Sequence, residues 1–287
     1  MGVTFRLDHV VILVDDLAVA TEDYAGLGFS VVAGGEHTGR GSHNALIAFA
    51  DGSYLELIAF TDRPASPDRR VPKQIRAHEL STLPVSPAER RVRPWQSAGE
   101  GLVDFALLPS AIEAAVAEAR GRGLAVEGPL SGGRSRPDGQ QVSWQFGIPD
   151  TYDLPFLCAD VTPRSLRVPG GAARRHGSGV TGITDVLVLV VNRDISVSRY
   201  HTLLGVGPSR DAAPRWRDVP TVDFVLGSTS LSLAEPPGKG GPLCDALNDR
   251  GEGPYALRLR TNDPARVGFL DPIRAHHARI EMALDRT

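Results

Sequence analysis

The chain has 287 residues, a formal net charge of -3 at neutral pH, 41% hydrophobic and 23% charged residues. That length is enough for two domains and a sizeable core. The slightly acidic balance excludes a nucleic-acid binder held by bulk charge and a polybasic membrane anchor. No apolar run approaches the ~20 residues of a membrane span. The start, MGVTFRLDHVV, has no apolar signal core or cleavage site, so the expected location is cytoplasmic. The two cysteines, Cys158 and Cys244, lie far apart without CxxC spacing. That argues against a disulfide framework and a cysteine zinc site. Of the 31 basic residues only Lys73 and Lys239 are lysines, a skew attributed to codon usage rather than function.

Residues 6–14, RLDHVVILV, form a short β-branched apolar run that predicts a strand. Asp16 then caps a helical stretch with Leu17, Ala20, Tyr24 and Leu27 on one face, stopped by Gly26 or Gly28. A strand at 29–33 is followed by the glycine-rich loop GGEHTGRGSHN. Strands at 45–50 and 53–60 are joined by a tight turn at Asp51-Gly52. This unit reads β-α-β-β-β.

The order recurs. GLVDFALLP (101–109) is a strand, and a helix follows with Ser110 as its N-cap, Glu113 at the capping-box position and Gly123 near its end. AVEGP, QQVSWQFGI and LPFLCAD follow as strands. A third copy starts at GITDVLVLVV (182–191), with a helix at RDISVSRYHTLLG and strands TVDFVLG and TSLSLAE. A fourth, degraded copy runs from PYALRLRTND to ARIEMAL. Residues 61–100 read as irregular, with a helical turn or two near VPKQIRAHEL. Residues 236–253 read as a long loop, and 161–181 as a Pro, Gly and Arg boundary without periodicity. The expected class is α+β. The expected division is an N-terminal module pair at 1–163, a linker at 164–181 and a C-terminal degenerate pair at 182–287.

LDHVVILVDDL, the GG-x-H-x-GRG-x-HNAL loop and DGSYLELIAF together resemble the glyoxalase-like branch of the vicinal oxygen chelate superfamily. EGLVDFALLP, PFLCADVTPRSLRVP and GEGPYALRLRT extend the likeness along most of the chain. It implies paired βαβββ modules whose curved sheets form a cup. It also implies, in many members, a divalent metal held on the first and last strands of each module. Chemistries in the superfamily include glyoxalase isomerisation, extradiol dioxygenation, thiol transfer and epimerisation, and some members only sequester a drug. Fold alone does not choose among them.

His9 and Glu56 interrupt apolar strands. Side chains alternate along a strand, so Leu7, His9, Val11 and Leu13 are expected on one face, and Tyr54, Glu56, Ile58 and Phe60 on one face of the other. An ionised Glu there is costly without a partner. The pair is therefore a metal site, a catalytic acid/base or a buried ion pair, and the resemblance makes the two strands neighbours. In the second module His9's place falls at Asp104, and the place where relatives often carry Glu falls at Ala159, between Cys158 and Asp160. His9, Glu56 and Asp104 can supply a one-His, two-carboxylate site for Mn, Fe(II), Ni or Zn. Asp104 reads equally well as a solvated strand-end carboxylate.

In the glycine-rich loop, Arg40 can hold a substrate carboxylate or phosphate. His43 and Asn44 rank as substrate contacts, and His37 is expected to be exposed. Trp144 can form a pocket wall, and Tyr54 can donate a proton beside Glu56. The C-terminal half looks emptied of a site: Asp185 stands at His9's place and Leu231 or Ser232 at Glu56's, and His276-His277 read as loop residues. No dinucleotide fingerprint or nucleophile elbow is present. The expected function is a metal-assisted enzyme acting on a small carbonyl or vicinally oxygenated metabolite through an enediolate. The competing class is a metal-free protein that sequesters an aromatic or drug-like molecule. A monomer and a homodimer are both open.

Overall fold

A computed structural model describes residues 2–61, 86–209, 216 and 219–284. The first module follows the expected order: β1 (Phe5–Leu13), α1 (Leu17–Gly26), β2 (Val32–His37), β3 (Ser42–Ala48) and β4 (Tyr54–Phe60). Asp16 caps α1, accepting from the backbone N–H groups of Ala18 and Val19 at 2.8 and 3.1 Å. Gly52 takes φ 87° in the turn before β4, a conformation that favours glycine.

The interval read as irregular contains a helix, α2 (Pro87–Ser97). Ser86 caps it through the Glu89 N–H at 3.2 Å, and Pro87 occupies its first turn, where no N–H is needed. The VPKQIRAHEL turn lies outside the described residues. The second module is β5 (Gly101–Pro109), α3 (Ile112–Gly121), β6 (Val126–Ser135), β7 (Gln141–Pro149) and β8 (Phe156–Asp160). Ser110 does not cap α3; Ala111 holds that position with no side-chain bond. The Ser110 hydroxyl instead accepts from the Thr4 N–H at 3.1 Å, because the β1–β5 ladder continues into it.

The boundary segment carries a short helix, α4 (Arg164–Arg167), and a 3-10 turn over Gly171–Arg174. Beyond it come β9 (Val180–Leu189), α5 (Arg193–Leu204), β10 (Thr221–Leu226), β11 (Thr229–Ala234), α6 (Pro242–Arg250), β12 (Gly253–Thr261), β13 (Gly268–Phe269) and β14 (Ile280–Leu284). α6 lies inside the stretch read as a long loop, and Pro242 again marks its first turn. Among the described residues the fourth copy has a 3-10 turn (Pro264–Arg266) in place of a helix.

Eight strands close into a barrel in the order β1-β4-β3-β2-β6-β7-β8-β5. Six more form a sheet in the order β10-β11-β9-β12-β14-β13. Both are mixed, with parallel β1–β4 and β9–β11 pairs and antiparallel β1–β5 and β9–β12 pairs. The fold is therefore the expected α+β architecture of curled sheets in two halves. The main apolar core runs through both halves, from Leu7, Tyr24 and Phe105 to Tyr200, Leu257 and Met282. A second cluster inside the barrel joins Val11 and Leu13 to Trp95, Trp144, Phe146 and Phe156. Among the described residues no helix is long and apolar enough to cross a membrane.

Polar contacts also join the halves. His276 sits in the loop before β14 with its Nδ1 2.7 Å from Glu100 and its Nε2 3.3 Å from Asp23. The Glu100 hydrogen bond raises the imidazole pKa above its ordinary value, against a smaller opposing effect of burial. A raised folded pKa contributes stability that is full below the unfolded value and fades as pH rises through the folded one. His276→Gln is therefore expected to lower the melting temperature most near pH 5.5, with a gap from the parent that narrows towards pH 9. Melting curves across that range check this; a gap independent of pH contradicts it.

Candidate active site

β1 places the first two functional groups. Strict alternation would put Leu7 on His9's face, but the β1–β5 register passes from Leu7 to His9 and skips Asp8. This bulge turns Leu7 into the main core with Val10 and Ile12, while Val11 and Leu13 face the barrel interior. It also lets Asp8 and His9, adjacent in sequence, work together: Asp8 lies 2.8 Å from His9 Nδ1. On β4 the expected alternation holds, and Tyr54, Glu56 and Ile58 all line the barrel's cavity.

Parallel pairing sets Val11 opposite Glu56 and His9 opposite Tyr54. The His9 Nε2 lies 3.4 Å from Glu56 Oε2. The other carboxylate oxygen, Oε1, faces His37 Nε2 at 3.5 Å and accepts from the Asn44 amide at 2.5 Å. His37 Nδ1 is in turn 3.0 Å from the Ser42 hydroxyl. Asp8, His9, Glu56 and His37 thus form one buried row, with Tyr54 stacked on His9 at 4.7 Å between ring centres. Burial pushes the Glu56 carboxyl up, but the His37 hydrogen bond, the facing imidazoles and Asn44 outweigh it and bring its pKa to about 2.

Behind the row lies a second network. Asp8 is fully buried and pairs with Arg164 at 2.7 Å and Arg167 at 2.8 Å. Burial alone would raise its pKa; Arg167, His9 and Arg164 hold it well below the usual carboxylate range. Arg167 also donates to Asp160 at 2.5 Å and to the Tyr54 hydroxyl at 2.7 Å. The Tyr54 phenol is thereby an acceptor, and burial pushes its pKa far up. It stacks on His9 and keeps its own O–H proton.

The cavity has a volume of about 680 Å3 including its mouth. His9, Glu56 and His37 lie on its polar wall, and Trp95, Trp144, Phe146, Phe156 and Ile148 on its apolar one. α2 contributes Ala88, Arg91, Val92 and Trp95. Arg40 lines the cavity as expected, with its guanidinium 5.0 Å from the Phe146 ring centre. Cys158 also lines it, and burial raises its thiol pKa, which disfavours the thiolate.

Several expectations change. His37, expected to be exposed, faces Glu56. His43 pairs with Ala59 across β3–β4 and is not among the cavity's lining residues. β3 begins at Ser42, so Ser42 and Asn44 fall on the site's face and His43 on the other. Asp104 is neither solvated nor beside His9 and Glu56. It is buried in a two-pronged bridge with Arg91, at 2.6 and 2.7 Å. The register also sets Phe156, not Ala159, opposite Ala106, as Glu56 is set opposite Val11. The His9, Glu56 and Asp104 set therefore does not fit a metal. Arg91 occupies both Asp104 oxygens, and the Glu56 carboxylate sits hydrogen-bonded between two imidazoles. Among the described residues no three His, Cys, Asp or Glu side chains group as metal ligands.

In the C-terminal sheet the pairing of Asp185 with Ser230 sets Ser232 at Glu56's place. Asp185 is buried and accepts from Trp216 Nε1 at 2.6 Å and the Ser232 hydroxyl at 2.9 Å. Arg91, Arg134, Arg167 and Trp95 were not singled out from sequence. Arg167 partners Asp8 across 159 positions, a separation no local pattern reveals.

A family model described as a glyoxalase-like domain matches residues 7–204. Among solved structures, a hypothetical protein from Staphylococcus aureus superposes with a TM-score of 0.70 at 16% identity, over 98% of this chain and 99% of that one. A variant of 4-hydroxymandelate synthase from Streptomyces coelicolor gives 0.56 at 16% identity, over 94% and 77%. No curated protein matches the sequence. The matched span covers both N-terminal modules and the start of the third, and the chain belongs to the glyoxalase-like domain family.

Proposed function

We propose that the barrel cavity is the active site of an enzyme that moves a proton at a carbon next to a carbonyl of a small metabolite. The observation that carries this reading is the Glu56 carboxylate, ionised and facing two imidazoles across the cavity from an aromatic wall. Proton transfer at such a carbon needs a base for the C–H and a donor for the oxygen that gains charge. Glu56 takes the proton, and the C–H electron pair shifts through the new C=C bond onto the carbonyl oxygen. The Nε2–H of His37, or of His9 when both its ring nitrogens carry protons, donates a hydrogen bond to that oxygen. The enolate, or enediolate when a hydroxyl is adjacent, collapses by taking the proton back. No oxidant or reductant is consumed.

A carboxyl with a pKa near 2 is a weak base while both imidazoles face it. A carbonyl oxygen that draws one of them away removes part of that stabilisation and raises the basicity when substrate is in place. Apolar walls exclude water and strengthen these interactions. A divalent metal, as the family resemblance implies, would supply Lewis-acid stabilisation of the same oxygen. The donor geometry does not fit one, so no step is assigned to it.

The reading is tested by solvent deuterium uptake, followed by NMR, into pyruvate, phenylpyruvate, hydroxyacetone and 2-hydroxyacetophenone. The parent is expected to accelerate exchange of at least one compound, and Glu56→Gln to slow it about 10²- to 10⁴-fold. A compound that raises the melting temperature without exchanging would instead support a sequestering protein. Elemental analysis of parent and His9→Ala protein is expected to show no near-stoichiometric Mn, Fe, Ni or Zn. Such a metal in the parent, lost in the variant, would contradict the metal-free reading.

The pH dependence of stability follows from the lowered Glu56 pKa. A depressed carboxyl contributes stability that is present above its unfolded value and lost as pH falls through its folded one. Between pH 4.5 and 2 the parent should lose more stability than Glu56→Gln; parallel losses in acid unfolding would contradict the assigned contacts.

A further inference from the structure

Among the described residues four guanidinium groups line the cavity: Arg40, Arg91, Arg134 and Arg167. Two are matched by carboxylates, Arg91 by Asp104 and Arg167 by Asp8 and Asp160. The other two are not. Arg134, on β6, is only 3% exposed. Among the described residues its side chain donates from Nη2 to the Arg167 carbonyl oxygen at 2.7 Å, and its Nε has no partner. Among the described residues no carboxylate lies within ion-pair distance of Arg134 or Arg40. Burying an unpaired charge is expensive, and an unmet buried donor adds to the cost.

A third donor is unmet on the same wall. Trp144 Nε1 is buried without an acceptor. Trp144 sits opposite Gly132, two residues before Arg134 on β6. A Cβ at Gly132 would come within 2.6 Å of that nitrogen, so only a glycine fits beside the indole edge. His37 is paired with Arg134 across β2–β6 and meets the Trp144 ring edge-on at 6.0 Å between centres. The unmet donors therefore lie beside the Glu56 row.

We infer that this wall is an anion subsite, and that the cavity takes a carboxylate attached to an apolar body, aromatic or branched. Arg134 holds the carboxylate, with Arg40 and Trp144 Nε1 as further donors; the body packs on Phe146, Phe156 and Ile148. The inference deepens the proton-transfer reading, because a carboxylate held there sets its neighbouring carbonyl towards Glu56 and the imidazoles. Carboxylate binding itself does not depend on proton transfer. A planar guanidinium matches a carboxylate better than a neutral group, and such charge-assisted bonds exceed neutral ones.

The test uses two pairs of compounds in which a methyl replaces the carboxylate: phenylpyruvate against phenylacetone, and 4-methyl-2-oxopentanoate against 4-methyl-2-pentanone. Calorimetric titration of the full chain is expected to show at least one acid binding about 10- to 100-fold tighter than its neutral partner. Arg134→Gln is expected to abolish that preference and leave the neutral compound within about twofold. Trp144→Phe keeps the ring, removes only the N–H donor, and is expected to lose several-fold for the acid alone; it serves if the arginine variant fails to fold. Equal binding within both pairs, an unchanged preference in Arg134→Gln or, where that variant does not fold, in Trp144→Phe, or no binding of either acid overturns the inference. An acid that binds tightly without deuterium exchange sinks proton transfer and leaves the subsite standing. Exchange of the neutral hydroxyketones with no preference for acids does the reverse.

Discussion

The site depends on one buried carboxylate, Asp8. Three groups converge on it: the guanidiniums of Arg164 and Arg167 and the Nδ1 of His9. A carboxylate cannot be fully buried without such partners, and removing one partner of a buried pair costs about 3–5 kcal/mol. The contacts have structural consequences beyond charge balance. They bring the segment after the second module against β1, through α4. They fix the ring of His9, so that its Nε2 points at Glu56. Through Arg167 they also fix Tyr54 and Asp160. The bulge at Asp8 makes this possible by turning two consecutive residues to one purpose.

The cavity divides its labour between walls. Glu56, His9 and His37 give it one wall of titratable groups. The aromatic wall gives it apolar area, and α2 adds Trp95. The asymmetry between the modules follows from what replaced the first module's residues. Asp104, at His9's counterpart, has become the anchor of α2 through Arg91, and Phe156 packs where a second carboxylate would stand. One half of the barrel thus supplies the His9, Glu56 and His37 row, and the other supplies most of the aromatic wall. In the third module Asp185 keeps a buried carboxylate at the same place, but Trp216 and Ser232 engage it.

Much of the fold was legible because β1, β4, β5 and β9 are apolar runs bounded by turn residues, and α1, α3 and α5 follow at constant spacing. His9 and Glu56 stood out as polar breaks in those runs. α2 and α6 were missed because their sequences are rich in Arg, Pro and Asp, although Ser86-Pro87 and Gly241-Pro242 mark their starts. The choice of His43 over His37 failed on strand parity. Counting back from Leu46 and Ala48, which face Tyr54 in the structure, puts Asn44 and Ser42 on the site's side. Arg134 and Arg167 were illegible for another reason: arginine makes up nearly all of this chain's basic residues, and the partners that single these two out are distant in sequence.

A ligand in the N-terminal barrel should engage the His9–Glu56–His37 row. Histidine-selective NMR of ring resonances tests it most directly, with phenylpyruvate or 4-methyl-2-oxopentanoate titrated into the labelled protein. His9 and His37 are expected to shift together on binding, while His201 and His277, outside the cavity, stay in place. Binding that leaves both His9 and His37 unmoved would contradict it.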